Sequence, residues 1–157
     1  MYFINPTIGR MEIDEVLENI FQYMEEEPQY TYKLIIGTDS HTNKDRICFV
    51  TAIIIHRVGK GARYFYRRFY QRKAKSLRQK IFTETSISLE IADKIKSKLD
   101  KTKYKDLGLE VHVDIGENGD TRELIKEVVG WVIGTGFRVK IKPEASGATK
   151  VADKYTK

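Results

Sequence analysis

The sequence predicts an α/β domain with a five-stranded mixed sheet behind an N-terminal helix, and three observations predict it. Three β-rich runs follow one another with short turns between them, the pattern of an antiparallel meander. Two later strand-like runs are each preceded by a helical pattern, so they must enter the same sheet by parallel crossovers. The chain has 157 residues, 41% hydrophobic and 32% charged, enough to bury one core as a single domain, 1–157.

Residues 11–26 read as a helix, because Ile13, Val16, Leu17, Ile20, Phe21 and Met24 form one stripe at helical spacing. Glu25-Glu26-Glu27-Pro28 ends it, and residues 1–30 form an acidic helical extension with seven acidic side chains against one basic. Tyr32–Thr38, with Leu34, Ile35 and Ile36 consecutive, is a buried strand. Ile47–Val58 is a second, rich in β-branched residues, and Gly59-Lys60-Gly61 turns the chain into a third, Arg63–Arg72.

A long helix is expected from about Ser76 to Leu99, then a fourth strand over Leu109–Ile115. Asp120 with Glu123 makes a capping-box pattern for the next helix, which carries Leu124, Ile125, Val128, Val129 and Val132. The fifth strand, Phe137–Pro143, alternates apolar with basic side chains, and a last short helix covers Thr149–Tyr155. Behind the first helix the order is β-β-β-α-β-α-β-α. Few folds have it, and the ribonuclease H-like fold is the familiar one, an inference about architecture alone.

One cysteine, Cys48, lies in the apolar run Ile47-Cys48-Phe49-Val50 and reads as a core residue. A single cysteine allows no disulfide or thiolate site within the chain, which suits a reducing cytoplasm. No apolar run is long enough to span a membrane, and Met1-Tyr2-Phe3-Ile4-Asn5-Pro6 does not resemble an export signal. The net charge is +6, but residues 31–157 carry twenty-seven basic against fifteen acidic residues. A body that basic points to a polyanionic partner, nucleic acid being the commonest.

Asp39 follows the first strand's apolar run, and Asp114 sits near the end of the fourth. If those strands are parallel neighbours, both carboxylates emerge at the carboxyl edge of the sheet, where open α/β sheets bind ligands. On the long helix, Ile81, Ser88, Ala92, Ile95 and Leu99 define the inward face. Glu84 falls about 50° from its centre, whereas Glu90 points outward beside Lys94. An inward carboxylate is costly unless metal, arginine or lysine pairs with it. A fourth carboxylate must come from the tail, Asp153 first and Glu144 second.

Oxygen ligands without Cys or a His-x-x-x-His pair favour Mg²⁺ or Mn²⁺ over Zn²⁺. Two such ions about 4 Å apart can activate a water and stabilise the leaving oxygen in phosphodiester hydrolysis. His41 and His112 adjoin the two strand aspartates and are expected to be structural before catalytic. Ten Lys or Arg residues lie between Arg57 and Lys80, interleaved with Tyr64, Phe65, Tyr66, Phe69 and Tyr70. Arg63, Arg67, Arg68, Arg72 and Lys73 are the expected nucleic-acid contacts. The competing expectation is that the third strand is a sheet edge whose charges prevent aggregation. No Walker A loop, Gly-x-Gly-x-x-Gly or Gly-x-Ser-x-Gly motif is present.

The runs Asn5-Pro6-Thr7, Ile36-Gly37-Thr38-Asp39-Ser40, His112-Val113-Asp114-Ile115-Gly116-Glu117-Asn118-Gly119 and Val151-Ala152-Asp153-Lys154-Tyr155-Thr156-Lys157 resemble the YkuK family of ribonuclease H-like proteins. The resemblance runs nearly end to end and implies that fold and membership of a nuclease-like superfamily. It matches Asp39 to the first-strand aspartate, Glu84 to the glutamate of the helix after strand three, and Asp114 to the fourth-strand aspartate. Asp153 resembles the variable last acidic residue. His41 stands where proofreading-type exonucleases carry a glutamate two residues after the aspartate, which weakens an exonuclease reading.

The leading expectation is therefore a divalent-metal-dependent nuclease acting on RNA, RNA–DNA hybrid or structured DNA. A nucleic-acid-binding module without catalysis is the alternative, and a metal-stabilised protein-interaction domain is the third. The tail, with the small-residue stretch Ala145-Ser146-Gly147-Ala148, is expected to add little to the core and to order only with metal and substrate.

Overall fold

The computed structural model describes residues 1–72, 76–145 and 147–156; the side chain of Thr149 also lies outside this description. Strands β1 (Tyr2–Asn5) and β2 (Gly9–Glu12) precede helix α1 (Ile13–Glu26). Strands β3 (Tyr32–Asn43), β4 (Arg46–Arg57) and β5 (Ala62–Arg72) form the meander, followed by α2 (Leu77–Leu99), β6 (Gly108–His112), α3 (Ile125–Gly134), β7 (Arg138–Lys140) and α4 (Gly147–Thr156). They build one sheet in the order β2-β1-β5-β4-β3-β6-β7. β3, β4 and β5 pair antiparallel, while β6 runs parallel to β3 and β7 parallel to β6.

The expected α/β architecture is present, but the sheet has seven strands and not five. Both additional strands come from residues 1–12, whose short runs are too brief to show a period-2 pattern. Asn5 makes their hairpin: its Oδ1 accepts from the Thr7 and Ile8 backbone N–H at 2.9 Å each, and its Nδ2 donates to the Tyr64 carbonyl at 3.0 Å. Ile4 then pairs beside Tyr66. β5 is thus an edge only in its outer half, so aggregation resistance explains its charges only there.

Alternation divides the sheet into two covered faces. Leu34, Ile36, Ile53, Ile55, Phe65 and Val111 face α1, α2 and α3, and Ile35, Val50, Ala52, Ile54 and Tyr66 face α4. β4 is consequently buried from Ile47 to Ile55, as a central strand between two layers must be. α1 covers a sheet face. Its acidic C-terminal end opposes the helix dipole, and Arg57 offsets this by donating to Glu27 at 2.7 Å and to the Tyr23 carbonyl at 2.8 Å. Cys48 is buried in the α4-side core, and burial pushes its thiol up from the ordinary value.

Two local expectations are corrected. The capping box at Asp120 does not form; residues Arg122–Leu124 make a 3₁₀ turn, and Thr121 Oγ1 instead accepts from the Gly116 N–H at 3.1 Å. The tail is also integrated into the core, because small side chains permit close approach. Ala145, Ala148 and Ala152 are fully covered, and a Cβ on Gly37 would come within 2.7 Å of the Ala148 Cβ. Tyr155 stacks on Tyr66 at 3.7 Å and shares a hydroxyl hydrogen bond with Tyr64 at 2.6 Å. Among the described residues, no helix is long and apolar enough to cross a membrane.

Candidate metal and nucleic-acid site

β3 continues past Thr38, so Asp39 and Ser40 lie within the strand and point to opposite faces. Asp39 shares the α4 face, and Ser40 faces α2. The parallel register pairs Gly37 with His112; carried two residues on, it sets Asp39 level with Asp114, just beyond the end of β6. Two hydrogen bonds stitch α2 to β3 at this point. Thr38 Oγ1 meets Ser88 Oγ at 2.7 Å, and one helical turn earlier Glu84 accepts from the Ser40 hydroxyl. A two-residue step on the strand matches a four-residue step on the helix, which explains why an inward glutamate sits at position 84.

Glu84 is 3% exposed. Burial pushes its carboxyl up to about 8; the Ser40 bond opposes the shift, Asp39 and Asp114 add to it, and Lys80 counters it. Burial likewise raises Asp39 to about 6, against the Ser40 backbone N–H, with Asp114 and Asp153 adding negative potential and Lys80 opposing. Asp153 stands on α4 within electrostatic reach of Asp39, whereas Glu144 is not among the groups acting on either raised carboxyl. Asp114 pairs with Lys142 Nζ at 2.9 Å.

Four carboxylates from β3, α2, the loop after β6 and α4 therefore share one corner of the sheet. They are not arranged as a finished coordination shell: among the described residues, no three His, Cys, Asp or Glu side chains are grouped to hold an ion. Protein partners account for this, since Glu84 is turned to Ser40 and Asp114 to Lys142. His112 is buried, with Nε2 3.2 Å from Glu110 Oε1, and burial holds it below the ordinary imidazole range. Its Nδ1 is buried with no hydrogen-bond partner among the described residues. His41 is exposed beside the acidic corner.

The expected basic contacts separate by strand alternation. Arg63 donates to Asn19 Oδ1 at 2.8 Å and lies over the Tyr23 ring, so it ties β5 to α1. Arg67 lies over Phe69 on the helix-covered face. Arg68 shares the α4 face with Asp39, in the cross-strand row Asp39–Val50–Arg68, and donates to the Tyr155 carbonyl at 2.8 Å. Arg72 pairs across from Arg46. Lys73 lies outside the described residues, as does Lys75.

A cleft of about 420 Å³ opens beside the last turn of α4, lined by His41, Arg46, Cys48, Arg68, Tyr70 and neighbouring polar groups. Arg46, Ser40, Lys80 and Lys142 were not singled out in the sequence. Lys80 carried a signal, standing four residues before Glu84 on one helix face. Arg46 follows a tight turn, and Lys142, on the basic side of the alternation over 137–143, lies beyond the end of β7 and turns to Asp114.

The family model that matches the chain agrees with this architecture. The chain is 36% identical over 166 aligned residues to the uncharacterized protein YkuK of Bacillus subtilis strain 168, covering 99% of this chain and 96% of the relative. A solved structure of Ciona intestinalis endonuclease V, in complex with a 24mer DNA containing an inosine followed by a ribo-adenosine, aligns at 11% identity and a TM-score of 0.36. That alignment covers 91% of this chain and 65% of the other, so the chain spans under two thirds of that enzyme's length. The family model described as Ribonuclease H-like matches residues 15–157, and the chain belongs to that family.

Proposed function

We propose that the chain is a divalent-metal-dependent nuclease that hydrolyses phosphodiester bonds in RNA, RNA–DNA hybrid or structured DNA. The observation that carries this reading is the placement of Asp39, Glu84 and Asp114 within electrostatic reach of one another, with Asp153 within reach of Asp39, where burial raises Asp39 and Glu84 and the neighbouring carboxylates add to the shift. Perturbed acids gathered at the carboxyl edge of an α/β sheet mark functional sites more often than structural ones.

The donor set fits Mg²⁺ or Mn²⁺, being all oxygen with no thiolate. Asp39, Glu84, Asp114 and Asp153 would hold one or two ions, which when bound would supply Lewis acidity and a water of lowered pKa. The remaining roles fall to the chain itself. Ser40 fixes the direction of Glu84. Lys142, on leaving Asp114, stays close enough to neutralise a phosphate oxygen, and the Arg68 backbone lies two strand spacings, roughly 10 Å, from that of Asp39.

A test is to incubate the protein with Mg²⁺ or Mn²⁺ and labelled RNA, hybrid and branched DNA. Metal-dependent cleavage of at least one substrate, lost in Asp39→Asn, is expected. Absence of cleavage with every metal and substrate would contradict the proposal.

A specific observation favours a second reading, a nucleic-acid-binding module that does not cleave. Ser40–Glu84 and Lys142–Asp114 satisfy two of the four carboxylates without any ion. Salt-sensitive binding that is indifferent to metal, with no cleavage, would support it.

A further inference from the structure

Helix α4 covers the sheet face only as far as its last turn, at Tyr155 and Thr156. Beyond it no further described helix lies on the same face of β3, β4 and β5, and the register shows which side chains that face carries. The rows are Asp39–Val50–Arg68, His41–Cys48–Tyr70 and Asn43–Arg46–Arg72. A fully apolar surface would have needed a further helix, but here every position outside Val50 and Cys48 is polar, cationic or aromatic. The cleft of about 420 Å³ is lined by His41, Asn43, Arg46, Cys48, Arg68 and Tyr70 of these rows and by Thr156, with no carboxylate among the described lining residues.

Tyr70 is 51% exposed, and the Arg46 guanidinium sits over its ring at 4.2 Å. An exposed ring with a cation on one face offers its other surface to a flat partner. Arginines lie to either side along β5, Arg68 toward the acidic corner and Arg72 away from it.

We infer that this surface is a binding platform for single-stranded nucleic acid, stacking an unpaired base on Tyr70 and leading the backbone past Arg68 toward Asp39. The inference deepens the nuclease reading by naming the strand state of its substrate. A duplex keeps its base faces stacked inside and would present phosphates, sugars and base edges, leaving the tyrosine ring without a stacking partner. A peptide partner would be expected to meet carboxylates as well as cations, and there are none among the described lining residues. RNA and DNA single strands share the required chemistry, a π-face and a phosphate.

The experiment measures fluorescence anisotropy of labelled oligouridylate, oligothymidylate, a DNA duplex and an RNA–DNA hybrid, with chelator present so that binding is read without cleavage. Either or both single strands should bind at least about tenfold more tightly than both duplexes. Tyr70→Ala should weaken single-strand binding by about tenfold or more, Tyr70→Phe should retain it, and Arg46→Ala should lower the salt slope by about one. Comparing the uridylate and thymidylate arms separates RNA from DNA. Tighter binding of either duplex, or Tyr70→Ala equal to the parent, would overturn the inference. Single-strand binding without metal-dependent cleavage would leave this platform standing and remove the nuclease. Cleavage of duplex that is unaffected by Tyr70→Ala would do the reverse.

Discussion

Ser40 on β3 donates its hydroxyl to Glu84 on α2, so a strand side chain holds the carboxylate of a helix 44 residues away. The bond favours the charged carboxylate in a site where burial disfavours it. Ser40→Ala should therefore destabilise the metal-free protein more at pH 9, where Glu84 is ionised, than at pH 5. The expected loss at pH 9 is about 1–3 kcal/mol by urea denaturation. Equal losses at both pH values would show that Glu84 does not depend on this donor.

The two raised carboxyls set a pH dependence of stability. Their ordinary values are 4.5 and 3.8, and in the fold they sit at about 8 and about 6. The native state holds protons that the unfolded chain has lost, so their contribution is full below about pH 4. It falls as pH rises through 6 and then 8. Glu84→Gln should remove most of that fall, leaving the metal-free variant more stable than the parent by about 1–3 kcal/mol at pH 8.5. A variant less stable than the parent at that pH would contradict the burial cost assigned to Glu84.

Gly37 has room for no side chain beneath α4, since an added Cβ would meet the Ala148 Cβ at 2.7 Å. Gly37→Ala should cost about 1–3 kcal/mol by overpacking and shift Asp153 away from Asp39. Ala148→Gly in the same chain should recover part of the packing loss. Chemical denaturation of the parent and both variants checks this, and a Gly37→Ala protein as stable as the parent would contradict the close contact.

Arg63 and Arg68 stand five residues apart on β5 but face opposite sides of the sheet. Arg63→Ala should lose about 1–2 kcal/mol of stability with its Asn19 bond and leave nucleic-acid affinity unchanged. Arg68→Ala should keep most of the stability and reduce the salt slope of binding by about one. Anisotropy titrations at several salt concentrations separate the two, and identical behaviour would contradict the assignment by face.

Strong periodicities explain what could be read without coordinates. The stripe of α1, the apolar runs of β3 and β4, and the inward placement of Glu84 all follow from side-chain spacing. The parallel pairing of β3 with β6, inferred from the need for a crossover, brings Asp39 level with Asp114. What escaped the sequence depends on contacts between distant segments. The β1–β2 hairpin is too short for a pattern and is held by Asn5 reaching Tyr64. The tail looked weak because its core residues are alanines, whose burial depends on Gly37 more than one hundred residues earlier. The expected basic contacts divide between two faces, because strand alternation sends Arg63 and Arg67 to the side of α1 and α2 and Arg68 and Arg72 to the side of α4.

The central claim, that Asp39, Glu84, Asp114 and Asp153 form one cation site, is tested most directly by calorimetric titration of Mn²⁺ into the parent protein and Asp39→Asn. The account predicts saturable binding by the parent and an affinity at least about tenfold lower in the variant, with both proteins folded by circular dichroism. Mn²⁺ binding of equal affinity in both proteins, or none in the parent, would contradict it.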